Sequence, residues 1–351
     1  MKKVKLSCLM PSYNKGAYIK DAIETVLSQK THFEFNLIIT DDASTDETLN
    51  IINEYIKKYP NKITLLPSKQ NQGLLSNIIK AYEYMNCEYF CCLDPDDYYT
   101  DNNFYQKAVD FLEEHKDFSI YAANTYAAKQ NGEMYLQNTE YTEKYYDSTF
   151  NDMLLNKTPL GNTISSVFRN NTINSSLIDK IKMFIGNQYC EAAYREDDFR
   201  NRIHLQNGKA HWVNEIVGVY RWTPSGLFRG SNELKKHLLK ILSFINMYYF
   251  FDKKYPEFME QAEIRALQML HLFNGNLNNI LSYKTLDVAK FFEVMSILIS
   301  YNESFISNSN KQIIRDQQNY YTPWYQNIFS IKQMNNHKVL RLFGLKIKFR
   351  N

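Results

Sequence analysis

The residues best suited to chemistry are acids that follow apolar runs. Tyr89-Phe90-Cys91-Cys92-Leu93 is five apolar or aromatic residues, and Asp94-Pro95-Asp96-Asp97 comes straight after. Such a run bounded by a turn reads as a buried strand that ends in carboxylates. Two carboxylates at one point repel, and a divalent cation held by hard oxygen ligands relieves them. Asp94 and Asp96 are therefore candidate ligands for Mn²⁺ or Mg²⁺, an arrangement suited to a diphosphate. A second acidic pair, Asp41-Asp42, closes another apolar run, and a third group, Glu196-Asp197-Asp198, opens a helical pattern. The plainer reading of each is a solvated turn or a helix entry, where acids favour the N-terminal dipole.

The elements that must position these acids alternate in type. Strands are expected at Leu6–Met10, Phe35–Thr40, Ile63–Leu66 and Tyr89–Leu93, each followed by a helix. Ser44 and Glu47 have capping-box spacing for a helix over Thr45–Lys58. Alternation at this spacing means βαβ units and a mostly parallel sheet flanked by helices, a Rossmann-like α/β fold. Ligands in such sheets sit at the carboxyl ends of the strands. The loops Pro11-Ser12-Tyr13-Asn14, Asp41-Asp42, Asn71-Gln72-Gly73 and Asp94–Asp97 then converge on one edge. There Tyr13 can stack on a base, Asp42 can accept a uracil imide proton, and Gly73 permits close backbone approach. From about residue 118 the alternation loosens. A strand is expected at Phe118–Ala123, an extended loop or hairpin over 124–160 and a strand at Ile164–Arg169. Residues 172–194 are weakly patterned, and two short strands are expected at Ala210–Val213 and Val217–Tyr220. After Gly230 the pattern turns helical (233–251, 256–273, 286–300). The chain thus reads as a domain over 1–230 and an α-helical region over 231–351 with a basic, amphipathic tail.

At 351 residues, with 44% hydrophobic and 23% charged content, this is a globular chain with a substantial core. No apolar run nears the ~18 residues that span a bilayer, and the first residues lack signal-peptide character. Five cysteines without metal spacing read as reduced core residues of a cytoplasmic protein. The net charge of +3 conceals an asymmetry: residues 311–351 carry eight Lys/Arg against one acid. This short basic stretch argues against a nucleic-acid partner. It suits either peripheral contact with an anionic membrane face or an edge strand or hairpin on the helical region.

Taken together, Pro11-Ser12-Tyr13-Asn14, Ser28-Gln29, Asp41 to Thr48, Asn71-Gln72-Gly73, Asp94-Pro95-Asp96-Asp97 and Glu196-Asp197 resemble the family-two inverting glycosyltransferases of the A-type, nucleotide-diphospho-sugar transferase fold. The resemblance covers about residues 4–225. It implies metal-dependent, inverting transfer of a hexosyl-type sugar from a nucleotide diphosphate, UDP above others, to a glycan hydroxyl. It implies Asp42 at the uracil, Asp96 as principal metal ligand with Asp94 beside it, and Asp197 as catalytic base. Asp198 is the alternative base, and Glu196 is its neighbour. Bacterial surface polysaccharide synthesis (capsule or lipooligosaccharide) on a lipid-linked acceptor fits the family and the tail. Arg221 and Trp222 fall where diphosphate or acceptor contacts are expected, but Thr223 stands where the family often has histidine. His204 and His211 read as structural. Rival readings are a sugar-nucleotide binder without catalysis, and a phosphotransferase with Asp94 as nucleophile. Tyr98 occupies the place where the latter needs Thr or Val.

Overall fold

The computed structural model describes residues 4–186, 195–223, 233–272, 293–298, 300–301, 329–334, 337–342 and 345–350. The chain divides into two compact units, Met1–Gly230 and Ser231–Asn351.

The first unit is built on one mixed sheet. Strands β1 (Val4–Ser12), β2 (Phe35–Asp41), β3 (Ile63–Pro67) and β4 (Cys87–Cys92) run parallel in the order β3-β2-β1-β4. The sheet continues through β9 (Ser166–Arg169), antiparallel to β4, and β6 (Phe118–Ala128). It ends with β10 (Lys209–Arg221), parallel to β6, and the short β5 (Tyr98–Tyr99). Helix α1 (Ile19–Leu27) buries Ile19, Ala22, Ile23 and Val26, the 3.6-period stripe that drives it onto the sheet. Helices α2 (Thr48–Lys58), α3 (Leu74–Tyr84) and α4 (Phe104–Glu114) follow the same logic. Strand β4 is covered on both faces: Tyr89, Cys91 and Leu93 belong to one core cluster, and Phe90 stacks on Phe168 with centroids 5.3 Å apart. Burying each such large side chain contributes about 1.5–3 kcal/mol.

Several sequence expectations change. The helix expected from Thr45 begins at Thr48, and Ser44 does not cap it. The Ser44 hydroxyl instead donates to Asp41 Oδ1 at 2.6 Å, while Asp46 Oδ1 accepts the Thr48 N–H at 3.0 Å. The two short strands near 210–220 are one strand, β10, interrupted by register shifts between Val213 and Val219. Residues 124–160 extend β6 to Ala128 and add β7 (Met134–Leu136), β8 (Tyr145–Ser148) and α5 (Phe150–Leu154). The weakly patterned stretch holds α6 (Ser175–Lys182), opened by Asn174, whose Oδ1 accepts the Leu177 N–H at 3.0 Å. Cys8, Cys87, Cys91 and Cys92 are free and buried, while Cys190 lies outside the described residues.

In the second unit, α8 (Glu233–Phe250) and α9 (Glu257–Leu272) match the expected helices. The helix expected over 286–300 falls partly outside the described residues, of which 293–298 are helical. In the tail, one of the two readings open to the sequence is an edge strand or hairpin, and the described residues are strands. They form a three-stranded antiparallel sheet of β11 (Phe329–Met334), β12 (His337–Leu342) and β13 (Leu345–Arg350). Its alternating residues have a period of two, which a strand satisfies and a helix does not. No helix among the described residues is long and apolar enough to cross a membrane.

Candidate active site

Parallel register brings the carboxyl ends of β1, β2 and β4 to one edge. Ser12 pairs with Asp41, and Leu9 with Cys92, so Asp94 leaves β4 beside the Pro11–Ser12 end of β1. Pro11 is buried; Ser12 is buried too, and its carbonyl accepts the Asp42 N–H at 2.9 Å. Tyr13 is 44% exposed, an aromatic face available for stacking. Asn14 locks the β1 and β2 loops together. Its N–H donates to Ser44 Oγ (2.9 Å), and its Oδ1 accepts the Thr45 N–H (2.8 Å). Its φ of 50° lies in the left-handed region, which asparagine tolerates better than most residues.

Asp42 is buried, and its carboxylate bridges to the loop before α3. Oδ1 accepts the Gln72 N–H at 2.8 Å and Oδ2 the Gly73 N–H at 2.9 Å. The two N–H donors just before α3 are thereby satisfied by a strand-end acid. Gly73 has φ 87° and ψ 162°, a conformation open in practice to glycine alone. Asn71 is exposed on the same loop.

The β4 acids differ among themselves. Burial, and then the charges of Asp96 and Asp197, push the Asp94 carboxyl up to about 7. Burial with the charges of Asp94 and Asp96 also holds Asp97 well above the usual range. Asp97 Oδ1 accepts the Arg221 N–H at 2.8 Å, while its Oδ2 has no partner among the described residues. Asp96 Oδ2 accepts from Lys15 Nζ at 2.5 Å and from the Thr223 hydroxyl at 2.8 Å. Pro95 is buried between the two acids.

Helix α7 (Glu196–Leu205) supplies the remaining acids, and each has a different environment. Glu196 accepts the Tyr82 hydroxyl at 2.6 Å and pairs with Arg200. Arg200 Nη1 in turn lies 3.0 Å from Cys92 Sγ, seating the start of α7 on the end of β4. Asp198 is paired with Arg195 (2.6 Å) and Arg202 (3.0 Å). Half-buried Asp197 accepts the backbone N–H of Asp198, and burial raises its carboxyl against the opposing charge of Arg195. The repulsion between Asp197 and Asp94 shows that α7 and the β4 loop share one electrostatic site.

Arg221 meets this site through its backbone N–H on Asp97, and Trp222 follows it in the chain. The Arg221 guanidinium donates to Asp21 at 2.9 Å and covers the Tyr98 ring at 4.6 Å. The backbone N–H of Trp222 donates to the Ala128 carbonyl at 2.8 Å, and its ring meets Tyr135 edge-on. Lys15 and Arg200 were not singled out by sequence. The signal for Lys15 was its place directly after Asn14. For Arg200 it was the i,i+4 spacing from Glu196.

Among the described residues no group of three His, Cys, Asp or Glu is arranged to hold a metal. Asp94 and Asp96 nonetheless fit Mn²⁺ or Mg²⁺ as a two-carboxylate set. The donors are hard oxygens, and the crowding that raises Asp94 is what a cation relieves. Such ions commonly take their other ligands from phosphates and water.

A mixed sheet whose strand ends gather acids in this way defines an A-type, nucleotide-sugar transferase fold. Residues 7–175 match the model of glycosyl transferase family 2, and the chain carries a glycosyltransferase domain of that family. Over 115 residues it is 34% identical to an uncharacterized protein of Mycobacterium tuberculosis, 33% of each chain. It is 38% identical over 112 residues to the minor teichoic acid biosynthesis protein GgaB of Bacillus subtilis, 32% of this chain and 12% of that one. It is 30% identical over 146 residues to the dTDP-rhamnosyl transferase RfbG of Shigella flexneri, 40% of this chain and 49% of that one. The match thus spans a third of the mycobacterial relative's length and half or less of the others. A fold likeness covers 99% of this chain and 99% of S. aureus TarS 1–349 in complex with UDP-GlcNAc, with TM-score 0.58 and 14% identity.

Proposed function

We propose that this chain transfers a sugar, with inversion, from a nucleoside diphosphate donor to a glycan hydroxyl, UDP being the nucleotide the site suits best. Asp197 takes the proton of the acceptor hydroxyl as its oxygen bonds to the anomeric carbon. The bond from that carbon to the β-phosphate oxygen breaks, and the electron pair leaves with the diphosphate. Tyr13 stacks on the base, and Asp42 fixes the Asn71–Gly73 loop against it while keeping a lone pair on each oxygen for the imide N–H. Asp94 and Asp96 would hold Mn²⁺ or Mg²⁺, which when bound stabilises the charge developing on the leaving diphosphate. Tyr82 and Arg200 hold Glu196, so the start of α7 carries Asp197 at a fixed angle.

The observation that carries this reading is the division of labour on α7. Asp198 is neutralised by two arginines, whereas Asp197 accepts a backbone N–H and shares its field with Asp94. A raised carboxyl is also the better base. Relatives named for teichoic acid synthesis and rhamnosyl transfer support a role in bacterial surface polysaccharide assembly. We place this role at the cytoplasmic face of the membrane, with a lipid-linked acceptor.

The test is a panel of UDP-, dTDP- and GDP-sugars, followed by thermal shift and slow hydrolysis with and without Mn²⁺, and by the anomeric configuration of the product. Mn²⁺-dependent release of one nucleotide with inversion is expected. Binding without any turnover would reduce the protein to a sugar-nucleotide carrier.

A further inference from the structure

The cation on Asp96 is part of this chain. Lys15 Nζ stands 2.5 Å from Asp96 Oδ2, with the two side chains only 15% and 13% exposed. The Thr223 hydroxyl donates to the same oxygen at 2.8 Å. Both lone pairs of Oδ2 are therefore engaged, and Oδ1 is left to take a metal. The lysine is delivered from a fixed backbone. Its N–H donates to Thr48 Oγ1 at 2.8 Å, and its carbonyl accepts the Tyr18 and Ile19 N–H groups, each at 2.9 Å.

This placement has an electrostatic consequence. A divalent ion on Asp96 and an ammonium on the same carboxylate repel one another, strongly so where water is partly excluded. A nucleoside diphosphate reverses the sign of that relation. Its several negative charges attract both cations, and its oxygens accept from the one while ligating the other. We propose that Lys15 couples metal loading to donor binding. It occupies Asp96 and disfavours the free ion, then donates to the diphosphate once metal and nucleotide arrive together. This rests on Asp94 and Asp96 being the metal ligands.

The experiment uses the full chain and follows free Mn²⁺ by electron paramagnetic resonance, with and without the diphosphate that binds best among UDP, dTDP and GDP. In the native protein the nucleotide tightens Mn²⁺ binding. In Lys15→Gln, Mn²⁺ alone binds about tenfold tighter, and the nucleotide's enhancement shrinks by a similar factor, as linkage demands. Lys15→Met, which keeps most of the stem, shows the same change if Lys15→Gln folds poorly, and Lys15→Arg keeps the native ratio. An unchanged ratio in the neutral variants, or Mn²⁺ weakened equally in both conditions, overturns the coupling role alone. Failure of the native chain to bind Mn²⁺ with any of the three nucleotides overturns the metal-ligand reading and the coupling with it.

Discussion

At the scale of single residues, neighbouring acids with different partners have different chemistry. Asp197 and Asp198 are one position apart, yet only Asp198 is clamped by Arg195 and Arg202. Asp197→Asn is expected to lower turnover by about 10³-fold while leaving nucleotide affinity near native, measured by initial rates and calorimetry. Asp198→Asn should instead lower the thermal midpoint, because it leaves two arginines short of a partner. Equal rate losses in the two variants would remove the distinction. The pH profile carries a second check. Burial raises the Asp197 carboxyl, and only its ionised form accepts a proton. The acid limb of kcat/KM should therefore rise with pH through an apparent pKa above the usual aspartate value and vanish in Asp197→Asn.

At the scale of elements, two helix starts are set by groups from elsewhere in the chain. Helix α3 is capped at its start by Gly73, with φ 87°, and the N–H groups of Gln72 and Gly73 just before it both end on Asp42. Gly73→Ala should cost about 1–3 kcal/mol in unfolding free energy and weaken nucleotide binding, because the loop must relax away from Asp42. Helix α7 hides an unusual load: Arg200, Asn201, Arg202 and His204 are all buried. His204 packs against both Phe90 and Phe168, and burial next to Arg200 lowers its pKa from 6.5 to about 3. The unfolded chain therefore takes up this proton first. The contribution of neutral His204 is whole above about pH 6.5. It falls by about 1.4 kcal/mol per pH unit below that, down to the folded value. His204→Leu should lose this slope relative to the native chain, read as the difference in urea midpoints between pH 7 and pH 5.

At the scale of the whole molecule, the tail is distinguished by its charge. Strands β11–β13 together carry Lys332, Lys338, Arg341, Lys346, Lys348 and Arg350 and no acid. A basic segment of this kind is attracted to anionic lipid by about 1 kcal/mol per basic residue near the surface. Flotation with phosphatidylglycerol liposomes should therefore weaken in the triple variant Lys346→Gln, Lys348→Gln, Arg350→Gln. Recovery unchanged from the native chain would remove membrane contact through this sheet.

Much of the first unit was determined by sequence alone, because its signals are local. Apolar runs of strand length, 3.6-period stripes and acids at strand ends need no partner to be read, so β1–β4, α1–α4 and the Asp94–Asp97 and Glu196–Asp198 clusters were all visible. What needed tertiary structure was every pairing across distance. Capping-box spacing at Ser44 and Glu47 was met, but Asp41 competed for the hydroxyl. The tail's alternation was seen, yet only strand pairing made it a sheet. The choice between Asp197 and Asp198 and the presence of Lys15 on Asp96 depend on which charges folding brings together. The energy of a charge depends on its neighbours and its burial, and neither is written in the order of residues along the chain.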